Sequence, residues 1–199
     1  RSEDLGLTWL ENESFSSHGS RSDWEPGAGG LCLHTILLDP HDEKRMYLGV
    51  SAAGFFRSDD NGQTWHLKSE GLPAALKPRY DPNAGRCVHK AALDATVPGT
   101  IYQQNHMGLY RTSNAGDSWT TMEEGLSDTF GFAMAAHPSK TGVLWIVPVQ
   151  GDTFRAPSGG KMRVLKSLDG GSSWRDASSG LPSENAYAAP LREGMAVDE

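Results

Sequence analysis

The chain has 199 residues, enough to bury a sizeable hydrophobic core, and carries a formal net charge of −7 at pH 7. This acidic balance, without a basic patch, argues against nucleic acid and anionic membranes as partners, and no apolar run reaches the roughly 18 residues of a spanning helix. With 23 glycines and almost no helical periodicity, the composition is typical of an all-β chain with many turns.

One eight-residue motif recurs four times along the chain, with the form Ser/Thr-x-Asp/Asn-x-Gly-x-Thr/Ser-Trp. The first copy begins at Ser2, close to the start of the chain. The tryptophans that close the four copies are Trp9, Trp65, Trp119 and Trp174. They are separated by 56, 54 and 55 residues, and a fixed period of this length indicates a repeat architecture.

Each position of the motif predicts part of a tight turn. A short side-chain oxygen at the third position can accept hydrogen bonds from backbone N–H groups two residues further on. The third-position residues are Asp4, Asp60, Asn114 and Asp169. Glycine at the fifth position adopts a positive φ without the penalty of a Cβ atom. The fifth-position glycines include Gly62, Gly116 and Gly171. The closing indole is expected to wedge against a neighbouring sheet.

Between the motifs, each period contains the same four apolar segments. First strands are predicted at 33–40, 88–95, 132–138 and 195–198, each ending in a turn. Second strands are predicted at 45–50, 100–104 and 143–149, and third strands at 54–57, 108–111 and 163–166. A fourth strand leaves from each later tryptophan and ends at a Gly-Leu turn, at 71–72, 125–126 and 180–181. Four short strands per period are typical of one propeller blade.

We therefore predict an all-β fold, a partial β-propeller of four-stranded antiparallel blades. Residues 1–30 end one blade and lead to the next, 31–85, 86–129 and 130–190 are blades, and 191–199 begin a further one. A closed ring of six to eight such blades needs roughly 330–440 residues, so the chain is about half of a ring. An open arc leaves strand edges uncovered. The expected partner is the remainder of a longer propeller, with a second copy of the chain as the alternative.

The motif resembles the Asp-box, also called the bacterial neuraminidase repeat. Residues 24–34, 85–90, 102–108, 130–132 and 181–187 are also similar to one bacterial group of Asp-box propellers, labelled sialidase-like or glycosyl-hydrolase-like. The resemblance spans the whole chain and implies the propeller fold. It implies little about activity, because sialidases, xyloglucanases, sortilin-type receptors and a photosystem assembly factor all carry such boxes. The Arg-Ile-Pro motif of sialidases is not recognisable here, which counts against that activity.

The propeller register predicts a polar cluster at one mouth of the central channel. Phe132 and three polar residues lie five residues before the turn that ends a first strand. The polar residues are His34, His89 and Glu193. First strands converge around the propeller axis, and His106, which follows Gln104 and Asn105 at the end of a second strand, is predicted at the same mouth. The candidate catalytic residues are therefore His34, His89, His106 and Glu193.

Three interpretations of this cluster remain open. It can serve as an acid–base pair, hold a metal ion through imidazoles and a carboxylate, or line a wet channel whose polar groups bond water. The wet channel is preferred to the metal, and no metal or other cofactor is predicted. Trp24, Gln104, Asn105 and Tyr187 are the candidate ligand-binding residues, and Trp24 either stacks on a sugar ring or anchors its loop.

Two functions from different classes follow. The first is binding or hydrolysis of a carbohydrate or other small ligand at the channel mouth, in which case His89→Ala or Glu193→Ala abolishes activity and leaves thermal stability nearly intact. The second is a non-catalytic propeller for protein recognition or assembly. Cys32 and Cys87, each two residues before a candidate histidine, are expected to be buried thiols. A cytoplasmic location is preferred, with a removed signal peptide as an open alternative.

Overall fold

The computed structural model describes residues 1–26, 30–75 and 80–198. In these ranges the chain forms three four-stranded antiparallel sheets, and each sheet takes its strands in chain order. Sheet 1 contains β1 (Leu33–Leu38), β2 (Met46–Val50), β3 (Gly54–Ser58) and β4 (His66–Leu67). Sheet 2 contains β5 (Val88–Leu93), β6 (Ile101–Asn105), β7 (Gly108–Thr112) and β8 (Thr120–Thr121). Sheet 3 contains β9 (Phe130–Ala136), β10 (Leu144–Val149), β11 (Leu165–Ser167) and β12 (Arg175–Asp176).

Helical structure is limited to short segments in the connections. A single turn of helix, α1 (Glu13–Ser16), precedes sheet 1, and two 3₁₀ turns lie at Arg21–Asp23 and Ser158–Gly160. Within the described ranges, these helices are too short and too polar to traverse a bilayer. Residues 27–29, which belong to the glycine-rich stretch of the resemblance, lie outside the described residues.

The sheets stack face to face, with their first strands side by side. Strand β5 lies against both β1 and β9, so the three first strands form the inner edge of the stack. Successive residues of a strand point to opposite faces. Tyr47 and Phe55 therefore pack towards sheet 2, whereas Leu48 and Phe56 pack on the other face of sheet 1, against residues that include Trp24. A separate apolar cluster joins sheets 2 and 3.

The eight-residue motif forms the same hydrogen-bonded turn in all four copies. In the second copy, Asp60 accepts the Thr64 backbone N–H at 2.8 Å and the Thr64 hydroxyl at 2.6 Å. The Ser58 hydroxyl donates to Asp60 and accepts the Gly62 N–H, both at 2.8 Å. The carboxylate thus reaches a backbone N–H four residues ahead, not the expected two. Asn61 and Gly62 are both left-handed, with φ of 58° and 78°, and this double reversal folds the chain back over the carboxylate.

Equivalent bonds recur in the other copies, where the accepting residues are Asp4, Asn114 and Asp169. Asn114 has one amide oxygen in place of a second carboxylate oxygen. Its Nδ2 therefore donates to the Ser118 hydroxyl at 2.9 Å, where the aspartates accept a hydroxyl. The fifth-position glycines have φ between 78° and 89°, as the sequence predicted.

The third and fourth closing tryptophans, Trp119 and Trp174, pack against the preceding sheet. Trp119 meets the edge of Phe55 in sheet 1 at 5.2 Å and donates its indole N–H to the Lys68 carbonyl oxygen. Trp174 donates in the same way to the Met122 carbonyl oxygen of sheet 2, at 3.0 Å. Trp9 is 74% exposed, because no sheet precedes it in this chain. The motif therefore joins neighbouring sheets as well as turning the chain.

The segment predicted to begin a further blade follows sheet 3 as an irregular connection. Residues 191–198 form no strand among the described residues. Strands β1–β4, β5–β8 and β9–β12 lie within 31–85, 86–129 and 130–190, and the division of the chain at those boundaries remains a prediction.

Candidate functional site

A β-bulge interrupts each of the three first strands at the same end. His34 is the extra residue in β1, and His89 is the extra residue in β5. Strand β9 has one extra residue between Gly131 and Met134, in the stretch that contains Phe132. A bulge redirects a side chain out of the regular alternation of its strand. The positions that the sequence identified as equivalent are thus the places where each inner strand is locally distorted.

His89 and His106 lie beside each other at this end of sheet 2. Their ring centroids are 5.6 Å apart and the rings are nearly perpendicular, at 78°. The turn between β6 and β7 holds His106 in place, because the His106 N–H donates to the Cys87 carbonyl oxygen at 2.9 Å. Asn105 closes the same turn by accepting the Met107 N–H at 2.7 Å. The sequence reasoning therefore correctly placed these two histidines close together.

His89 is a buried histidine that links sheets 2 and 3. It is 2% exposed, and its Nδ1 lies 2.7 Å from the Gly131 carbonyl oxygen of β9. A carbonyl can only accept, so Nδ1 carries the proton. The ring stacks on Phe132 at 4.6 Å and meets the edge of Phe130 at 5.1 Å. Burial is the main cause that lowers the pKa of His89 to about 3, so the ring is neutral at pH 7.

Charged residues from two connections surround these rings. The guanidinium of Arg155 lies 5.2 Å from the centre of the Phe132 ring, and that of Arg192 lies 5.5 Å from it. Asp152 is 3.2 Å from Nε2 of His106. Arg155 and Asp152 belong to the insertion between β10 and β11, and Arg192 belongs to the segment after β12. The insertion and the C-terminal segment therefore both contribute to the site.

His34 and Glu193 lie at the margin of the cluster. Burial, together with the charges of Arg192 and Lys90, lowers the pKa of His34 to about 4. Its Nε2 is buried and has no hydrogen-bond partner within the described part of the protein. Glu193 is exposed and pairs with Lys90, with the carboxylate oxygen 2.5 Å from Nζ. His89 and His106 therefore have ring-to-ring contact, whereas Glu193 pairs with Lys90, and His34 is influenced by the charges of Lys90 and Arg192.

Three of the four predicted ligand-binding residues, Trp24, Gln104 and Asn105, are buried in the protein. Trp24 is 9% exposed and packs on Phe56, and its indole N–H donates to the Ser20 hydroxyl at 3.0 Å. It anchors its loop on the face of sheet 1 that points away from sheet 2. Gln104 is 1% exposed and donates to the Thr129 carbonyl oxygen at 2.8 Å, while Asn105 closes its own turn. The indole N–H of Trp24, the Nε2 of Gln104 and the Oδ1 of Asn105 are thus bonded to the protein, and a ligand-binding role for these residues stays a prediction.

Tyr187, the fourth of these residues, is accessible. It is 64% exposed and lies over Gly160, where an added Cβ atom would come within 3.2 Å of the phenol. The Ala186 N–H donates to the Gly160 carbonyl oxygen at 2.7 Å, so this segment is tied to the insertion between β10 and β11. Phe154, on the same insertion, is 54% exposed. Two accessible aromatic rings thus lie on the two connections of the site, Phe154 on the insertion with Arg155 and Asp152, and Tyr187 on the segment after β12 with Arg192.

Cys87 is a member of the cluster that the sequence reasoning did not include. One ligand atom from each of Cys87, His89 and His106 lies within 4.8 Å of the others. Neither Cys87 nor Cys32 forms a disulfide. The position of Cys87, two residues before His89, was the available signal. Asp152, Arg155 and Arg192 lie outside the repeated strands, so the periodicity contained no information about them.

No family model matches the chain. The chain is 24% identical over 231 residues to an oligoxyloglucan-reducing end-specific xyloglucanase of Emericella nidulans. The match covers 99% of this chain and 27% of the relative. It is 27% identical over 218 residues to xyloglucanase Xgh74A of Acetivibrio thermocellus, with 100% of this chain and 24% of the relative covered. The chain therefore spans about a quarter of the length of these curated relatives.

Solved structures resemble the chain in fold. A GH74 xyloglucanase from Xanthomonas campestris matches with a TM-score of 0.61 at 20% identity, over 88% of this chain and 26% of its own. An ancestral GH74 enzyme matches with a TM-score of 0.59 at 21% identity, over 84% of this chain and 20% of its own. The chain is a partial β-propeller. Its three sheets are blades 1 to 3, and the comparisons group them with glycosyl-hydrolase-like propellers.

A third solved structure has a weaker likeness. YCF48 from Cyanidioschyzon merolae matches with a TM-score of 0.50 at 12% identity, over 78% of this chain and 39% of its own. Identities this low establish the fold alone, since one fold serves many functions. The chemistry of this chain has to be argued from its own side chains.

Proposed function

We propose that this chain is part of an Asp-box β-propeller that binds a carbohydrate at the inner-strand end of the blades, where His89, His106 and Phe132 meet. The observation that carries the proposal is the combination of accessible aromatic rings and charged hydrogen-bonding groups at that end. Tyr187 and Phe154 are exposed on the connections that hold the charged rim. Sugars are bound by aromatic stacking together with polar groups that bond their hydroxyls.

The rim offers both donors and acceptors for sugar hydroxyls. Arg155 donates through a planar guanidinium, and Asp152 and Glu193 accept through carboxylates, all three being exposed. The sequence similarity to xyloglucanases supports a polysaccharide as the carbohydrate. We further propose that other propeller blades, or a second copy of the chain, complete the ring.

Hydrolysis in the complete protein would need two carboxyl groups, one of them protonated to serve as the acid. Asp152 and Glu193 are the carboxylates at this rim, and both have a basic neighbour, His106 and Lys90 respectively. Each carboxylate is thus already bonded to a neighbouring side chain, so the alternative function is a non-catalytic propeller for recognition, and binding is the property to test first.

The test measures binding of xyloglucan oligosaccharides and a panel of other glycans by calorimetry and by ligand-observed NMR. We expect Tyr187→Ala and Arg155→Ala each to weaken binding by about tenfold, the loss of one stacking or charged hydrogen-bond contact. Arg175→Ala is the matched control, because Arg175 is an exposed arginine on the outermost strand of blade 3. Failure of every glycan to bind, or equal weakening by the control, would overturn the proposal.

A further inference from the structure

We propose that Cys87, His89 and His106 form a binding site for a transition-metal ion of the zinc type. Within residues 1–26, 30–75 and 80–198, they are the one group of three or more histidine, cysteine or acidic side chains whose ligand atoms lie close enough to share an ion. Thiolate and imidazole are the donors that zinc prefers, whereas calcium and magnesium require oxygen. The donor set thus selects the class of metal. This proposal does not depend on carbohydrate binding.

Hydrogen bonds already hold both imidazoles in the tautomers that a metal requires. The Gly131 carbonyl oxygen occupies Nδ1 of His89, so the Nε2 lone pair is available to an ion. The Asp152 carboxylate occupies Nε2 of His106, so the Nδ1 lone pair is available. Metal-binding histidines characteristically donate their second ring N–H to a carbonyl or carboxylate. Both histidines show this arrangement, one with each kind of acceptor.

The backbone holds the three residues together independently of any ion. The bulge in β5 redirects His89, and the hydrogen bond from the His106 N–H to the Cys87 carbonyl oxygen joins the turn to the strand. His89 is buried, whereas Cys87 and His106 are half-buried and have room to adjust. Ligand atoms of a tetrahedral zinc site lie about 3.3–3.8 Å apart, so the atoms within 4.8 Å here need to approach by about 1 Å.

Charge at the site is compatible with a cation. A coordinated Cys87 is deprotonated, and the Asp152 carboxylate adds a second negative charge. Together they offset the guanidinium groups of Arg155 and Arg192, which lie 5.2 and 5.5 Å from the centre of the Phe132 ring. Three protein ligands leave a fourth tetrahedral position for water or a ligand, as in zinc sites that act on substrates.

Blade 1 provides an internal comparison. Its Ser51 N–H donates to the Cys32 carbonyl oxygen at 2.9 Å, the same bond that the His106 N–H makes to Cys87 in blade 2. Ser51 therefore occupies the place of His106. Blade 1 has a cysteine and a histidine at the equivalent positions, but a serine where blade 2 has its second histidine. Substitutions at Cys32 consequently control for the loss of a thiol at an equivalent position.

The experiment titrates the metal-free chain with Zn²⁺ by calorimetry and with Co²⁺ by absorption spectroscopy. We expect one ion per chain, with a thiolate-to-cobalt charge-transfer band. Cys87→Ser and His106→Gln should each weaken binding by about 100-fold or more, and Asp152→Asn, which keeps all three ligands, by about 10–100-fold. Cys32→Ser should leave both titrations unchanged.

Circular dichroism of each variant distinguishes a loss of metal binding from a loss of folding. His106 is half-buried, and the backbone hydrogen bond of its turn does not depend on its side chain, so His106→Gln should fold. Absence of stoichiometric Zn²⁺ binding would overturn the proposal. So would Co²⁺ spectra without the charge-transfer band, or equal losses in Cys87→Ser and Cys32→Ser. Glycan binding by the metal-free chain is measured separately, so the two proposals fail independently.

Discussion

Gly71 permits a direct measurement of the contact between blades 1 and 2. It lies in the Gly-Leu turn after β4 with φ of 82°, and a Cβ atom there would come within 2.2 Å of the Trp119 carbonyl oxygen. The adjacent Glu70 carbonyl oxygen accepts the Trp119 N–H at 2.9 Å. Gly71→Ala therefore strains the turn and also pushes against the backbone of the next blade.

The other Gly-Leu turns separate these two effects. Gly125 and Gly180 have φ of 76° and 84°, and an added Cβ atom would meet nothing within 4 Å at either position. Alanine there should cost only the left-handed conformation, about 1–2 kcal/mol. At Gly71 the clash adds about 1–3 kcal/mol, as overpacking does in a core. We expect Gly71→Ala to cost about 2–5 kcal/mol, which lowers Tm by about 2–4 °C for each kcal/mol.

Urea denaturation and calorimetry of Gly71→Ala, Gly125→Ala and Gly180→Ala provide the comparison. The expected result is a clearly larger loss of unfolding free energy at Gly71 than at the two controls, which should agree with each other. Equal losses at all three positions would refute the reasoning, because the contact with Trp119 would then contribute nothing beyond the strain common to the three turns.

Two further predictions concern pH. Hydrogen bonds from Thr64 and from Ser173 lower the pKa of Asp60 and of Asp169 from 3.8 to about 2. Because these pKa values are depressed in the folded state, the stability they contribute is complete above pH 3.8 and is lost as the pH falls towards 2. Asp60→Asn combined with Asp169→Asn should flatten this acid dependence in urea denaturation, and an unchanged slope would contradict it. Burial lowers the pKa of His89 from 6.5 to about 3, so the stability it contributes is complete above pH 6.5 and declines as the pH falls from there. NMR of the ring nitrogens should show a neutral His89 protonated at Nδ1 at pH 5, and titration near 6.5 would disprove it. Because His89 is buried and bonded to Gly131, His89→Ala should destabilise the chain, contrary to the expectation from sequence.

The site was predictable to the extent that it follows the repeat. Counting back from the turns identified His34, His89 and Phe132 as equivalent, and the structure has a bulge in each of those strands. The structure shows Gln104 and Asn105 bonded to the protein backbone, which the sequence could not show, and their assignment to a ligand stays a prediction. A polar side chain at a strand end has to be hydrogen-bonded, but residue type does not show whether its partner is a ligand or the protein backbone.

The sequence by itself determined the repeated turn, the strand order within each blade and the stacking of successive blades. These features depend on local backbone conformation and on tryptophans that recur at one spacing, so they can be recognised along the chain. Only the tertiary structure decided which groups surround the two central histidines. Asp152, Arg155 and Arg192 reach the site from non-repeating connections, and Cys87 is joined to it by the hydrogen bond from the His106 N–H to its carbonyl oxygen. Contacts of this kind depend on the path of the folded chain, and no periodic pattern encodes them.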